Sequence, residues 1–252
     1  MIGAAALLWW LMSRQPPTIA EGESLPAICH RLGFEGVDYV VCEASPGDYD
    51  IRLVHSGIDG KPYGSLDKLT HAMAGQGQIV ALAMNAGMYH EDLSPVGLHV
   101  ESGETISPIN TGEGEGNFFL KPNGVFMIGK NGKAAIVESG AYVAANPDPE
   151  YATQSGPLLV LNGALHPRFE ENGKSRYIRN GVGVRPDTTV AFAISLSEVS
   201  FGSFARLFRD ALGCPEALYF DGVVSALSNG NKMILGGRYP AGPIVAVLPA
   251  AR

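Results

Sequence analysis

Apolar and polar positions along the chain alternate mostly with the period of strands. "VDYVVCEA" (37–44) and "YDIRLVHS" (49–56) are short runs rich in β-branched and aromatic residues, separated by the turn residues Ser45-Pro46-Gly47-Asp48. The period then changes. In "SLDKLTHAMAGQ" (65–76), Leu66, Leu69 and Met73 recur at helical spacing behind Ser65, a residue type that caps helix N-termini, and Gly75 and Gly77 mark the end. "IVALAMNAGMY" (79–89) follows as a buried strand running into a turn.

Hairpin signals fill the middle of the chain. "GLHVESGETISP" turns at Ser102-Gly103, "GVFMIGKNGKAAIVES" at Asn131-Gly132, "GPLLVLNGALHP" at Asn162-Gly163 and "GVGVRPDTTVAFAIS" at Pro186-Asp187. Asn-Gly between apolar runs predicts a type I′ hairpin, so antiparallel pairing is expected throughout. A second helix is predicted at "SFARLFRDALG" (203–213), with Phe204, Leu207, Phe208 and Ala211 on one face and Gly213 as its stop. The strand "EALYFDG" comes next. These elements predict an α/β fold in the mixed α+β sense, a largely antiparallel sheet with a few packed helices.

The two helix–strand units echo each other weakly. Shifted by about 136 positions, Gly77 falls on Gly213, Leu82 on Leu218 and Asn85 on Asp221. A duplication of this kind would set Asn85 and Asp221 at equivalent strand ends, facing one another across a cleft.

Composition sharpens the picture in three ways. The 252 residues, 46% hydrophobic and 17% charged, with 32 Gly and 17 Pro, fit a turn-rich globular protein with a full core. A net charge of −7 without any basic stretch argues against nucleic acid as a partner. "MIGAAALLWWLM" (1–12) is apolar but short of the roughly 17–25 residues of a membrane span. Residues 1–14 therefore read as a signal-like or anchoring segment, although no basic residue precedes the apolar core; an ordinary buried helix is the alternative. Residues 15–26, with Pro16, Pro17 and Pro26, read as a linker, and 27–252 as a single domain. Export would permit a Cys29–Cys42 disulfide, leaving Cys214 as a small buried hydrophobe. No Cys/His spacing suits zinc, so a metal-independent site without a cofactor is expected.

Several polar residues sit where chemistry is feasible. Asp221 ends an apolar strand; Asp-Gly is a common turn dipeptide, but a carboxylate on a rigid strand end also suits acid–base, nucleophilic or electrostatic work. Asn85 ends another strand, where an amide suits either a turn or a sugar hydroxyl. Gln154 and Ser155 precede a buried strand; Ser155 lacks a GxSxG elbow and is not read as a nucleophile. Arg179, near Gly181 and Gly183, could clamp a phosphate or brace a turn. Ser225 follows Asp221, and Asn117 and Lys121 flank a Gly-rich loop that is not a P-loop.

Five ordered segments carry a family resemblance: "MNAGMY" (84–89), "SPVGLHVESGE" (94–104), "QSGPLLVLNG" (154–163), "RNGVGV" (179–184) and "LGCPEALYFDGVVSAL" (212–227). Together they resemble the phosphodiester glycosidase family, which includes the enzyme that uncovers mannose 6-phosphate by removing N-acetylglucosamine, and most nearly its bacterial exported branch of unknown function. The family's Asp-Gly-Gly…Ser signature reads Asp221-Gly222-Val223-Val224-Ser225 here, with Val223 in place of the second Gly. Its Asn-Gly-Gly turn reads Asn85-Ala86-Gly87. The resemblance implies hydrolysis of a sugar-1-phosphodiester at the anomeric carbon of an exported or envelope glycan. Asp221 and Arg179 would be catalytic, with Asn85, Gln154, Ser155, Ser225, Asn117 and Lys121 binding substrate. An exported glycan-binding protein that keeps the cleft without turnover is the alternative, resting on Val223.

Overall fold

The computed structural model describes residues 24–250 and Ile19. The expected leader and most of the expected linker lie outside the described residues. Seventeen strands and three α-helices among those residues, numbered here in chain order, build three sheets. The largest has seven strands in the order β1 (Cys29–Phe34), β2 (Val37–Ala44), β13 (Val190–Ser195), β12 (Asn180–Val184), β14 (Glu216–Asp221), β10 (Leu158–Leu161) and β11 (Ala164–Leu165). One five-stranded sheet runs β16 (Met233–Leu235), β15 (Leu227–Ser228), β4 (Leu82–Asn85), β17 (Ile244–Pro249) and β3 (Tyr49–Val54). The other runs β6 (Glu104–Ser107), β5 (His99–Glu101), β9 (Pro149–Ser155), β7 (Gly124–Gly129) and β8 (Ala134–Glu138). Each strand ladder is antiparallel. This is the sheet-dominated α+β class that the hairpin signals predict.

One central core lies between the seven-stranded sheet and the two smaller ones. Val40, Cys42, Phe192, Ile194, Leu218 and Phe220 enter it from the first, Leu53, Met84 and Val245 from the second, and Phe126 and Ile136 from the third. The opposite face of the large sheet is buried under helix α3 (Phe201–Arg206), where Tyr39, Val41, Ala217 and Tyr219 meet Phe204 and Phe208. Strands β2, β13 and β14 are thus covered on both faces, which is why they read as continuous apolar runs rather than alternating ones. Helix α1 (Leu66–Gly75) covers the β4–β17 sheet with Leu66, Leu69 and Met73, and Ser65 caps it by accepting from the Lys68 N–H. Helix α2 (Ser139–Ala145) covers the third sheet with Tyr142.

Strands β2 and β3, separated by the turn at Ser45–Asp48 as expected, enter different sheets. Two local expectations change. The β7–β8 connection is not type I′: Asn131 stays at negative φ and only Gly132 is left-handed, in a three-residue loop closed by the Gly129 N–H on Lys133 O. The second predicted helix starts earlier, at Phe201, and widens into a π turn over Leu207–Ala211 before Gly213 stops it at φ 66. Such wide turns insert one extra residue into a helix and often lie near functional sites. Cys29 and Cys42 stand directly opposite in the β1–β2 register and form a disulfide; Cys214 is free and buried.

Candidate active site

Asp221 owes its position to a bulge. Gly181 on β12 faces Tyr219 on β14, but the next residue back, Asn180, faces Asp221, so Phe220 is the extra residue. A bulge bends its strand and re-aims the residues beyond it. The chain then folds back on the half-buried carboxylate. Asp221 Oδ1 accepts from the N–H groups of Gly222 (2.5 Å), Val223 (2.6 Å) and Val224 (3.0 Å). No hydrogen bond among the described residues reaches Oδ2, so one carboxylate oxygen anchors the loop and the other is unbonded.

Gly222 is fixed by close approach, since a Cβ there would lie 2.2 Å from the Tyr219 hydroxyl. Val223 has no left-handed φ, so the loop keeps its form without the family's second Gly. Val223 is 64% exposed while its N–H bonds the carboxylate. The same holds at the other altered turn. Ala86 needs no glycine, whereas Gly87 has φ 79 and a Cβ there would meet Thr153 Oγ1 at 2.5 Å.

Arg179 lies at the same sheet end and is fully buried. Its guanidinium stacks 3.6 Å over the Phe201 ring, which stacks on Phe169, which stacks on His166. Nε donates to Val199 O at 2.9 Å and Nη2 to Ser175 O at 2.9 Å; among the described residues Nη1 makes no hydrogen bond. The Tyr219 hydroxyl stands beside the guanidinium without an aligned bond to Nη1. Among the described residues no carboxylate forms an ion pair with Arg179, although the Asp221 charge acts on it at longer range. Burial pulls its pKa below the usual guanidinium value. A lone buried cation of this kind is costly and invites an anion.

The predicted facing of Asn85 and Asp221 across a cleft does not occur. Asn85 is fully buried, and its amide is engaged by protein: Oδ1 accepts from Ala226 N–H (2.9 Å) and Asn180 Nδ2 (3.0 Å). Asn180 Nδ2 also donates to Asn85 O at 2.9 Å. Ser225 Oγ donates to Ile178 O at 3.0 Å and lies 3.3 Å from Asn180 Oδ1. This polar knot ties β4, β12 and the loop after Asp221 together. Asn180, the residue at its centre, stands in the "RNGVGV" segment next to Arg179, yet nothing in its local pattern separates it from an ordinary strand residue.

Gln154 is likewise a brace. Its Oε1 accepts from the N–H groups of Leu98 and Asn110, and its Nε2 donates to Asn110 O and Ser139 Oγ. Ser155 is buried, its hydroxyl 3.3 Å from Phe220 O. Both are engaged by neighbouring protein groups, as buried polar side chains generally are. Asn117 and Lys121 are exposed, with Lys121 Nζ donating to Thr111 O.

Tyr89, in the "MNAGMY" segment, was not singled out in the sequence. Its hydroxyl donates to Pro240 O at 2.5 Å. Burial, with the nearby Asp221 charge adding to it, pushes its phenol up to about 12, so it remains a neutral donor at working pH. Among the described residues no cluster of three or more His, Cys, Asp or Glu could hold a metal ion.

A carboxylate at the end of a bulged strand and a buried arginine with no ion-pair partner among the described residues thus stand at one end of a sheet in a sheet-dominated α+β frame. The chain belongs to the phosphodiester glycosidase family, whose sequence model matches residues 78–238. It is 34% identical over 203 residues to the uncharacterized protein YigE of Escherichia coli K12, covering 81% of this chain and 79% of that one. Its fold is similar to the catalytic domain of zebrafish N-acetylglucosamine-1-phosphodiester alpha-N-acetylglucosaminidase, a domain auto-inhibited by its pro-peptide. That match has TM-score 0.61 and 11% identity, and covers 94% of this chain and 87% of that one. A Burkholderia pseudomallei protein designated as exported also shares the fold (TM-score 0.56, 13% identity, 84% of this chain and 74% of that one).

Proposed function

We propose that the chain hydrolyses a sugar-1-phosphodiester in an exported or envelope glycan, breaking the bond between the anomeric carbon and the phosphate oxygen. The observation that carries this reading is the Asp221 carboxylate, held through Oδ1 by three N–H groups with Oδ2 unbonded. As the C1–O bond breaks, both its electrons leave with the phosphate monoester, and positive charge develops on the sugar ring. Oδ2 of Asp221 stabilises that charge, and the oxygen of a water bonds to C1 while its proton passes to the departing phosphate monoester. The Arg179 charge offsets the negative charge gathering on the departing phosphate. Phosphate is a good leaving group, so the need for a strong general acid is small. Asn85, Asn180, Gln154, Ser155 and Ser225 act by holding the walls; Tyr89, Asn117 and Lys121 are available to contact substrate. An exported setting is supported by the Cys29–Cys42 disulfide, which persists in oxidising compartments, and by the exported relative. Among the described residues no helix is long and apolar enough to cross a membrane; in this reading the apolar segment 1–12 supplies a membrane tether.

The test is hydrolysis of sugar-1-phosphodiesters in H2(18)O. Cleavage at the anomeric carbon places the label in the sugar and none in the phosphate. Asp221→Asn keeps the oxygen that accepts the loop N–H groups but loses the charge, so turnover should drop about a hundredfold or more. Full activity of that variant, or label in the phosphate, would sink the proposal. A protein that binds glycan with no turnover at all would instead support the binding-module alternative, for which the exposed Val223 beside the carboxylate is the specific observation.

A further inference from the structure

Arg179 and the surface are separated by a single layer of residues. Its Nη2 donates to Ser175 O, and its guanidinium carbon lies 5.5 Å from the Tyr177 ring centroid; Ser175 and Tyr177 are both exposed. Phe201 supports the guanidinium on another ring contact at 3.6 Å. Among the described residues Tyr177 makes hydrogen bonds through its backbone only. Its N–H donates to Val199 O at 3.2 Å and its C=O accepts from Val199 N–H at 2.8 Å. The side chain makes no hydrogen bond among the described residues and is 45% exposed. A Cβ on Gly222 would come within 3.3 Å of Tyr177 Cβ, which places Tyr177 beside the Asp221 loop as well. The unpartnered Nη1 is thus a buried cationic donor with a neighbouring aromatic side chain free to turn away.

We propose that Arg179 Nη1 is a phosphate-binding site roofed by Tyr177, opened when the Tyr177 ring rotates out into solvent. The closed form holds the guanidinium through its Nε and Nη2 hydrogen bonds and meets Nη1 with aromatic faces only; a phosphate oxygen gives Nη1 an ionic hydrogen bond, which is stronger than a ring contact. Rotation moves one side chain and leaves the Tyr177–Val199 backbone bridge in place. The inference rests on the hydrolysis reading only for what the phosphate is attached to. In that reading, the roof explains how a fully buried arginine meets the phosphate of a diester whose anomeric carbon lies at Asp221.

Binding of inorganic phosphate to the full chain, followed by calorimetry, tests the roof without any turnover. Tyr177→Ala removes a cation–π contact of about 0.5–1 kcal/mol that the ligand must otherwise displace, so phosphate should bind about two- to fivefold tighter than to the wild type. Tyr177→Phe keeps the ring and should bind as the wild type does. Arg179→Lys should weaken phosphate about tenfold or more by losing the forked donor. If Tyr177→Ala unfolds the chain, Tyr177→Leu carries the same comparison, since it keeps apolar bulk without a π face. Phosphate affinity that is equal or weaker without the ring, absent in the folded variant, or retained in a folded Arg179→Lys overturns the proposal. Lack of turnover on sugar-1-phosphodiesters with this binding pattern intact removes the hydrolysis reading and leaves the site standing; turnover with the pattern absent does the reverse.

Discussion

Truncating Asn180 to alanine removes the centre of the polar knot beneath the Asp221 loop. The lost contacts are Nδ2 to Asn85 O (2.9 Å), Nδ2 to Asn85 Oδ1 (3.0 Å) and the two longer approaches of Oδ1 to Ser225 Oγ (3.3 Å) and Asn85 Nδ2 (3.4 Å). Asn85 Oδ1 keeps the Ala226 N–H and Ser225 Oγ keeps Ile178 O, so those two are not orphaned. Asn85 Nδ2 loses the one partner it has, and its carbonyl loses a donor, both in a fully buried position. At about 1–2 kcal/mol for each group left short, the variant should be destabilised by about 2–4 kcal/mol. Urea unfolding of Asn180→Ala, Asn85→Ala and the double variant measures this. Because the two side chains share bonds, the double loss should fall short of the sum by about 1 kcal/mol or more. Asp221→Asn, which retains the loop acceptor, serves as a control with nearly unchanged stability. A loss below about 1 kcal/mol for Asn180→Ala, or strictly additive losses, would refute the knot as the element that holds the loop.

Two further outcomes follow from the same structure. The Cys29–Cys42 bond closes a loop with a sequence separation of 13, and replacing both cysteines by alanine should lower the unfolding free energy by about 3 kcal/mol in the loop-entropy account; no change in the denaturation midpoint would contradict it. His55 and His166 are both held below the ordinary imidazole pKa by burial. The unfolded chain then takes up protons at about pH 6.5 that the folded chain refuses, so stability is full above that pH and falls as the pH drops below it. Melting temperature recorded from about pH 8 to pH 5 should decline below about pH 6.5. His166→Asn, which can still accept the Arg168 N–H made to Nδ1, should shrink the decline; a flat profile in the wild type argues against both assignments.

Much of the fold was legible because it is local. Ser65 and the leucines of α1 declare a capped helix within a dozen residues. Asn162-Gly163 and Ser102-Gly103 both adopt left-handed φ, as their hairpins require. Where one residue rather than two turns left-handed, as at Gly132, the dipeptide pointed to the right place with the wrong turn type. The ordered motifs singled out Asp221, and the two altered glycines lie at positions whose φ needs no glycine, which is why the loop tolerates Val223 and Ala86.

The site divides along the same line. The sequence by itself determined the α+β class, the antiparallel hairpins, the family, and a carboxylate at the end of a buried strand. Tertiary structure alone decided that Asn85, Gln154 and Ser155 are braces, that Asn180 is the centre of the knot, and that Arg179 lies buried without an acid. Periodicity records which way a side chain points from its own strand, not which distant strand lies opposite. Asn85 and Asn180 are 95 residues apart and Asn85 and Ala226 are 141 apart. Their hydrogen bonds, and the single residue that shifts the β12–β14 register at Asp221, come into being only when the sheets close on one another.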